Sequence, residues 1–454
     1  MTETRTRRVL FVAYYFPPMG GSGVERPLQF VKHLRRYGWE PTVLTAWPDA
    51  SAQLDETLLS DVPRGAEVIA LASDERLFRT AARLGLGRLS ALLFRPDAQV
   101  MWARRALAAA RRVHGARPFD LVFTTAQPWS AGLVGLRLKE ETGLPWVSDF
   151  RDPWTRSLHL AWPTRRHWRR DLALEGRFLA AADRTLAVTP TMRDEFLADH
   201  ADVDARRVEV LYNGFDEDGG FAPARPPNCR FTIVFAGRFR HDWRADGLAS
   251  RLAARLRMLA AYRRRGARVD THSPVYFLRA LSRFLKESPE RRVRTRVVFA
   301  GVVGKGNKAL IAALGLGDVV ECVGRLPRAA SLELMRSADA LLLPMFSTDD
   351  PRERVAYASG KIFEYMSARR PILALTQEGD AKDLALASGL GIVAAPDDVG
   401  AIAAAIERLY NAWESGAPVL APNDDFISRF SRAKLARRLA QIFDEVLAEK
   451  ETHP

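Results

Sequence analysis

The chain has 454 residues, which at about 150 residues per domain predicts two to three domains. Its content of 47% hydrophobic and 27% charged residues is typical of a globular protein and excludes a disordered one. The net charge of +14 favours anionic partners such as nucleic acid, anionic lipid or phosphorylated small molecules, and the two cysteines, Cys229 and Cys322, exclude a disulfide framework or a zinc finger.

The N-terminal segment begins like a signal peptide but is better interpreted as a strand. Three arginines between positions 5 and 8 precede a short apolar run at 9–16. Pro17 and Pro18 end that run, and no small-residue cleavage site follows. No stretch approaches the roughly 18 apolar residues of a membrane-spanning helix. We therefore predict a cytoplasmic protein whose first strand is buried.

Strands and helices alternate through the first half of the chain. Apolar runs predict strands at 9–14, 41–46, 67–72, 119–125, 146–150, 185–189 and 208–212. The segments between them are mostly helical in pattern, and the first predicted helix, 24–37, ends at Gly38. This alternation predicts βαβ units and a parallel sheet.

A Gly- and Pro-rich linker at 219–227 precedes a second series of the same kind. Its predicted strands are 231–236, 297–300, 319–323, 340–344, 371–375 and 391–393, and its predicted helices are 274–286, 305–314, 330–338, 360–368 and 399–414. The predicted fold is α/β, with two doubly wound, Rossmann-like domains at 1–218 and 219–430 facing across a cleft. A C-terminal helix within 431–454 is expected to pack back toward the N-terminal domain.

Two basic segments raise the possibility of a membrane contact. The insertion at about 243–271 predicts a helix whose leucines share one face and are surrounded by arginines (Leu248, Leu252, Leu256, Leu259; Arg251, Arg255, Arg257, Arg263, Arg264, Arg265, Arg268). The segment 158–170 combines Trp162 and Trp168 with several arginines. The insertion is best interpreted as a surface helix that packs on its own domain, with contact to an anionic membrane or a partner as the alternative. For the segment 158–170, an anionic membrane surface and ordinary packing on the protein fit equally well.

A glycine loop joins the first strand to the first helix. Gly20, Gly21 and Gly23 could let backbone N–H groups approach a phosphate or a sugar. The loop fits neither the dinucleotide fingerprint, whose third Gly is replaced by Arg26, nor the P-loop pattern. Taken alone it is also compatible with simple turn chemistry.

Several motifs in order resemble the family-4-type glycosyltransferases of bacteria. In the first half they are YYFPPxGGxGVxR at 14–26, GWEPxVLT at 38–45, DFRDPW at 149–154 and LYNGFD at 211–216. In the second half they are FAGR at 235–238, VGRLP at 323–327, SGKIFEYM at 359–366 and RPIL at 370–373. The resemblance covers nearly the whole chain except 243–271. It implies the two-domain GT-B architecture and sugar transfer from a nucleotide-sugar, usually with retention of anomeric configuration.

The resemblance implies a donor site in the C-terminal domain. A helix N-terminus with the ammonium of Lys361 suits a diphosphate, and Glu364, three residues on, suits a ribose diol. Arg238 is expected as a second phosphate ligand. We therefore predict Arg238, Lys361 and Glu364 as catalytic residues, and a donor-binding set that adds the glycines Gly21, Gly23, Gly237 and Gly324. Without the resemblance, Lys361 and Glu364 would also fit an ordinary surface pair.

Other residues are assigned to the acceptor side or to no role in chemistry. Arg26, Asp149, Arg151 and Asp152 are predicted to lie on the acceptor side or in the cleft, although an Arg–Asp brace for the loop fits equally well. The DED triplet at 216–218 is interpreted as polar linker, and the histidines show no metal-ligand spacing. No metal and no cofactor are expected, since the nucleotide-sugar is a substrate. Catalysis would then be chiefly charge stabilisation on the leaving diphosphate.

The chain departs from the family pattern at three places. Ala356 replaces the first Glu of the Glu-x7-Glu motif that ends at Glu364, and Glu353, Tyr357 and Ser359 are candidates for its contact with the donor sugar. Arg240 or Arg244 stands in for a lysine that many relatives place after the first strand of this domain. AQPW at 126–129 replaces a His-Glu-Pro sequence, so no His base is assigned.

The predicted function is transfer of a sugar from a nucleotide-sugar donor to a glycan or lipid-linked acceptor in cell-surface polysaccharide or glycoconjugate synthesis. The enzyme is expected to be hexosyltransferase-like and metal-independent, cytoplasmic or peripheral on the inner face of the membrane. One alternative is another enzyme on the same fold, such as a nucleotide-sugar epimerase or a phosphorylase. A second is a non-catalytic basic binding protein, but no nucleic-acid motif accompanies the basic charge, so nucleic acid is not an expected partner.

Overall fold

The computed structural model describes residues 6–48, 53–73, 80, 94–217, 229–243 and 261–452. The linker predicted at 219–227 lies outside the described residues, as do all four leucines of the predicted insertion helix. The chain divides into two compact units. Unit 1 comprises Met1–Asn213, Ala260–Arg264 and Arg432–Pro454, and unit 2 comprises Gly214–Leu259 and Arg265–Ser431.

Unit 1 is built on a parallel sheet. Its described strands are β1 (Arg7–Val12), β2 (Trp39–Ala46), β3 (Glu67–Leu71), β4 (Leu121–Ala126), β5 (Trp146–Phe150), β6 (Arg184–Ala187) and β7 (Val208–Val210). They lie in the order β3-β2-β1-β4-β5-β6-β7. The order places β1 in the interior, between β2 and β4, which is why its residues 9–12 form an unbroken apolar run that is fully buried.

The helices of unit 1 surround this sheet. The described α-helices are α1 (Ser22–Leu34), α2 (Val100–Ala116), α3 (Ala131–Thr142), α4 (Arg165–Ala181), α5 (Pro190–Asp199) and, from the C-terminus of the chain, α14 (Arg432–Thr452). Short 3-10 turns occupy Arg35–Tyr37, Glu56–Asp61 and Ala205–Arg207. Helix α14 belongs to this unit because Phe443 packs against Trp39 and Phe123, with ring centroids 5.0 and 5.7 Å apart.

Unit 2 contains a second parallel sheet. Its described strands are β8 (Phe231–Arg238), β10 (Thr295–Val302), β11 (Val320–Gly324), β12 (Ala340–Pro344), β14 (Ile372–Leu375) and β15 (Gly391–Ala394), in the order β11-β10-β8-β12-β14-β15. A small antiparallel ribbon joins β9 (Ala267–Arg268) to β13 (Ser347–Thr348). The chain order reverses between β8 and β12, and the carboxyl ends of strands at such a switch point form a crevice.

The helices of unit 2 cover the apolar faces of that sheet. The described helices are α6 (Val275–Lys286), α7 (Pro289–Arg294), α8 (Lys305–Ala313), α9 (Arg328–Ser337), α10 (Gly360–Ala368), α11 (Asp380–Ala387), α12 (Val399–Ser415) and α13 (Asp424–Ser428), with a 3-10 turn at Val269–His272. The core is rich in aromatic and branched side chains from β8, β10, α6 and α12. The prediction of two Rossmann-like α/β domains is confirmed, and the boundaries of most predicted elements shift by one to a few residues.

Candidate functional site

The most distinctive polar arrangement of unit 2 lies where β8 ends and α10 begins. Ser359 is the N-cap of α10, and its hydroxyl oxygen accepts a hydrogen bond from the Lys361 backbone N–H at 3.4 Å. Lys361 therefore lies in the first turn of the helix, as the sequence predicts. A helix N-terminus with a lysine in its first turn is suited to an anion.

The side chain of Lys361 crosses directly over Gly237 at the end of β8. A Cβ atom at position 237 would lie 2.1 Å from Lys361 Cε, and Gly237 has a φ of +142°, so both the space and the backbone conformation require glycine here. The Lys361 ammonium lies 5.8 Å from the centroid of the Phe235 ring. The lysine is thereby held against the carboxyl end of a central strand.

Burial lowers the pKa of the Lys361 ammonium below its ordinary value. The nearby carboxylate of Glu364 opposes that shift, and the positive charge of Arg240 adds to it. An ammonium that is desolvated and close to a second cation would gain stability from an anionic ligand. Lys361, Glu364 and Arg240 therefore form one electrostatic cluster at the carboxyl edge of the sheet.

The other predicted residues of unit 2 follow different strands of the sheet. Arg238 directly follows Gly237 and is exposed. Arg240 is also exposed, and its backbone N–H is bonded to the His272 carbonyl at 3.2 Å. Gly324, with a φ of +75°, ends the edge strand β11, which is separated from β8 by β10. Arg238 and Arg240 thus share the edge of Lys361, whereas Gly324 lies two strands away.

A second helix N-terminus at the same edge is already occupied by the protein. The carboxylate of Asp242 accepts hydrogen bonds from the backbone N–H groups of Gly306 and Asn307, at 3.1 and 2.7 Å, in the first turn of α8. The Asn307 side chain in turn donates to the His241 carbonyl at 3.0 Å. Because Asp242 satisfies the positive end of α8, the N-terminus of α10 is the better anion site.

The loop before α10 contains Ala356, which replaces the first Glu of the family motif. Ala356 is buried, and Glu353 forms an ion pair with Arg265 at 2.6 Å. Ser359 caps the helix, and the half-buried Tyr357 places its ring 6.0 Å from that of Phe346. Glu353 and Ser359 therefore have partners within the protein.

Two buried residues that support this site had no role assigned from the sequence. Gln377 accepts a hydrogen bond from the Thr348 N–H and donates to the Glu353 carbonyl, both at 2.6 Å, and so holds the loop before α10. Tyr365 is fully buried within α10 and bonds to two strands. Gln377 carries no sequence signal, because its partners lie far away in the chain. Tyr365 lies inside the SGKIFEYM motif.

In unit 1, the glycine loop and Arg151 lie together. Gly21, with a φ of +101°, precedes α1 and is exposed. A Cβ at Gly23 would lie 3.3 Å from the Tyr15 ring and 3.4 Å from the Arg151 guanidinium. Arg151 donates to the carbonyls of Ala126 and Gln127, both at 2.7 Å, and to that of Gly23. Its guanidinium therefore holds the loops after β1 and β4.

Arg26 and Asp149 form a buried ion pair. The Arg26 guanidinium donates to both carboxylate oxygens, at 2.7 and 3.0 Å, and Thr125 Oγ1 donates to the same carboxylate at 2.8 Å. Arg26 also donates to the carbonyls of Leu211 and Tyr212 at 2.9 and 2.6 Å. The geometry favours the brace over direct acceptor binding for Arg26 and Asp149.

Asp152 is the more accessible acidic group of the same segment. It is half-buried, and Gln127 Nε2 donates to its carboxylate at 3.5 Å. Its acceptor-side role stays a prediction.

The two tryptophans of the segment 158–170 both form hydrogen bonds within unit 1. Trp162 is 3% exposed, and its indole N–H donates to Asp171 at 2.8 Å. The indole of Trp168 donates to the Thr155 carbonyl at 3.1 Å, and the Arg264 guanidinium covers its ring at 5.3 Å. Trp162 is therefore not available to a headgroup interface, whereas Trp168 is half-buried, and the membrane contact of this segment stays a prediction.

The described residues contain no helix that is both long and apolar enough to cross a membrane.

Solved structures share the fold of this chain. Sucrose-phosphate synthase from Thermosynechococcus elongatus matches with a TM-score of 0.59 at 14% identity, over 98% of this chain and 100% of that chain. Anabaena Alr3699/HepE in complex with UDP matches with a TM-score of 0.56 at 16% identity, again over 98% and 100%. At such identities the likeness shows the fold alone, and that fold is GT-B.

The family follows from the sequence comparisons. The Glycosyltransferase Family 4 model matches residues 22–218, and the Glycosyl transferases group 1 model matches residues 264–412. The D-inositol 3-phosphate glycosyltransferase of Streptosporangium roseum is 29% identical over 224 residues, which are 48% of this chain and 46% of the relative. The match thus spans about half the length of that curated relative. The chain belongs to the family-4-type glycosyltransferases of the GT-B fold.

Proposed function

We propose that this protein transfers a hexose from a nucleotide-sugar donor to a glycan or a lipid-linked acceptor. The product would be a cell-surface polysaccharide or glycoconjugate. The observation that carries the proposal is Lys361, held over Gly237 at the N-terminus of α10 with Glu364 one turn on. Family membership supports the reaction class, and the complex of Alr3699/HepE with UDP supports a nucleotide donor.

The chemistry of the cluster suits a nucleoside diphosphate. The donor diphosphate would receive the Lys361 ammonium and the positive end of α10, and its charge would compensate the burial of that ammonium. Arg238 and Arg240 are exposed at the same edge and can add positive charge. The carboxylate of Glu364 can accept hydrogen bonds from ribose hydroxyls.

We propose a retaining, metal-independent reaction. The leaving diphosphate oxygen would take the acceptor proton on the same face of the sugar, so no side chain is needed as a base. Negative charge develops on that oxygen in the transition state. Lys361 and the arginines would stabilise this charge. No cofactor is required in this scheme.

A thermal-shift screen against UDP-, GDP- and ADP-sugars tests the proposal. A donor at 100 times its Kd stabilises the protein by about 2.7 kcal/mol. The stabilisation should be lost in Lys361→Met and reduced in Glu364→Gln. Lys305→Met is the matched control, because Lys305 also begins a helix of unit 2, but Asp242 caps that helix. Equal stabilisation in all variants, or none in the wild type, would contradict the proposed donor site.

The start of α4 supports a location on the inner face of the cytoplasmic membrane. Four arginines there are exposed, and the first turn contains no acidic residue (Arg165, Arg166, Arg169, Arg170). Positive charges at a helix N-terminus, and like charges four residues apart, destabilise a helix. An anionic surface would relieve that repulsion at about 1 kcal/mol per basic residue, and it would bring the enzyme to a lipid-linked acceptor.

Co-sedimentation with vesicles of increasing anionic lipid content tests this location. Binding should rise with anionic lipid, fall with salt and weaken when the four arginines of α4 become Gln. The control replaces four scattered exposed arginines of unit 1 and so removes the same charge (Arg104, Arg112, Arg177, Arg206). Equal loss in both quadruple variants would show that only net charge matters.

A further inference from the structure

The Tyr365 hydroxyl lies between β8 and β12, where the next backbone hydrogen bond of the second sheet would form. The β8–β12 ladder runs as far as Val234 and Leu341. Continued in the same parallel register, the next hydrogen bond would join the Ala236 N–H to the Leu342 carbonyl. Instead, the Tyr365 hydroxyl accepts from the Ala236 N–H at 3.2 Å and donates to the Leu342 carbonyl at 3.3 Å.

This hydroxyl separates the two halves of the sheet at the switch point. Beyond it, β8 stays paired with β10 up to Arg238, and β12 stays paired with β14 up to Pro344. Tyr365 is fully buried, and its hydroxyl has used its donor and one acceptor position on the backbone. The crevice at the carboxyl edge therefore begins at the Tyr365 hydroxyl.

The Tyr365 hydroxyl contacts the residue next to the donor cluster. Ala236 directly precedes Gly237, over which the Lys361 side chain lies. Tyr365 lies one helical turn after Lys361 on α10, so the two side chains share a face of that helix. A change in the separation of β8 and α10 would move Gly237 relative to Lys361.

We infer that Tyr365 is a positioning residue of the donor site, whose hydroxyl holds β8 and β12 apart and so sets the Lys361 ammonium over Gly237. The inference rests on the proposed function for the role of the cluster. A phenylalanine would keep the ring packing but remove the hydroxyl. The Ala236 N–H and the Leu342 carbonyl would then either lose their partner or bond directly, and both outcomes displace Gly237.

The test compares Tyr365→Phe with Tyr410→Phe. Tyr410 is also buried in unit 2, and its hydroxyl lies near Glu414 of the same helix, α12, away from the carboxyl edge. In ligand-free protein, the rate of Lys361 acetylation, read by peptide mass spectrometry, should rise at least 3-fold in Tyr365→Phe only. The Kd of the donor selected by the screen should rise at least 10-fold in the same variant.

Unchanged acetylation and unchanged donor affinity in Tyr365→Phe would overturn the inference. If the wild type binds no nucleotide-sugar, the proposed function fails, and the acetylation rate of Lys361 alone decides the role of Tyr365. If Tyr365→Phe does not fold, 4-aminophenylalanine at position 365 keeps a polar group of similar size but weakens it both as a donor and as an acceptor. It should then change both readouts in the same direction by a smaller factor, and no change would overturn the inference.

Discussion

Replacing Gly237 by alanine tests the donor cluster with one methyl group. The added Cβ would lie 2.1 Å from Lys361 Cε, whereas ordinary contact begins at 3.4 Å. The lysine must therefore withdraw by about 1 Å or more, and a misplacement of about 1 Å costs roughly 10²-fold in rate. The positive φ of Gly237 adds backbone strain of about 1–3 kcal/mol.

Gly416→Ala separates the strain from the displacement. Gly416 follows α12, has a φ of +67° and would have nothing within 4 Å of an added Cβ. Urea denaturation should show a comparable loss of stability in both variants. Nucleotide release from the donor should fall about 10²-fold in Gly237→Ala and stay near wild type in Gly416→Ala. Turnover of Gly237→Ala within about 3-fold of Gly416→Ala would refute the role given to Lys361.

Three further predictions concern pH, metals and the buried ion pair. Burial raises the pKa of Asp171 to about 6 from 3.8, so the folded state holds that proton more tightly. Relative to Asp171→Asn, the wild type should therefore lose on the order of 3 kcal/mol of unfolding free energy between pH 4 and pH 7, and a constant difference would contradict this. Transfer should persist in EDTA because Lys361 supplies charge; loss restored by Mn²⁺ would disprove it. Asp149→Ala should lower the unfolding free energy by about 3–5 kcal/mol, since it leaves Arg26 buried without its carboxylate, against less than about 1 kcal/mol for the more exposed Asp61→Ala.

The alternation of apolar strands and helices was readable from the sequence. Parallel strands buried on both faces leave continuous apolar runs, such as residues 9–12, whose identity does not depend on distant partners. The start of α10 was readable for the same reason, because Ser359 and Lys361 belong to one local motif. Local chemistry therefore determined the fold class and the position of Lys361 in its helix.

The tertiary structure decided which polar groups remain available. The sequence favours accessible positions for Trp162 and Arg151. In the structure, the Trp162 indole donates to Asp171, and the Arg151 guanidinium donates to backbone carbonyls more than 20 residues away in the chain. In the sequence, Tyr365 looks like one more apolar residue on the buried face of α10. In the structure, its hydroxyl bridges two strands that are far apart in sequence. A hydrogen-bonding group takes whichever partner the packed chain brings within reach, and sequence spacing carries no record of such long-range partners.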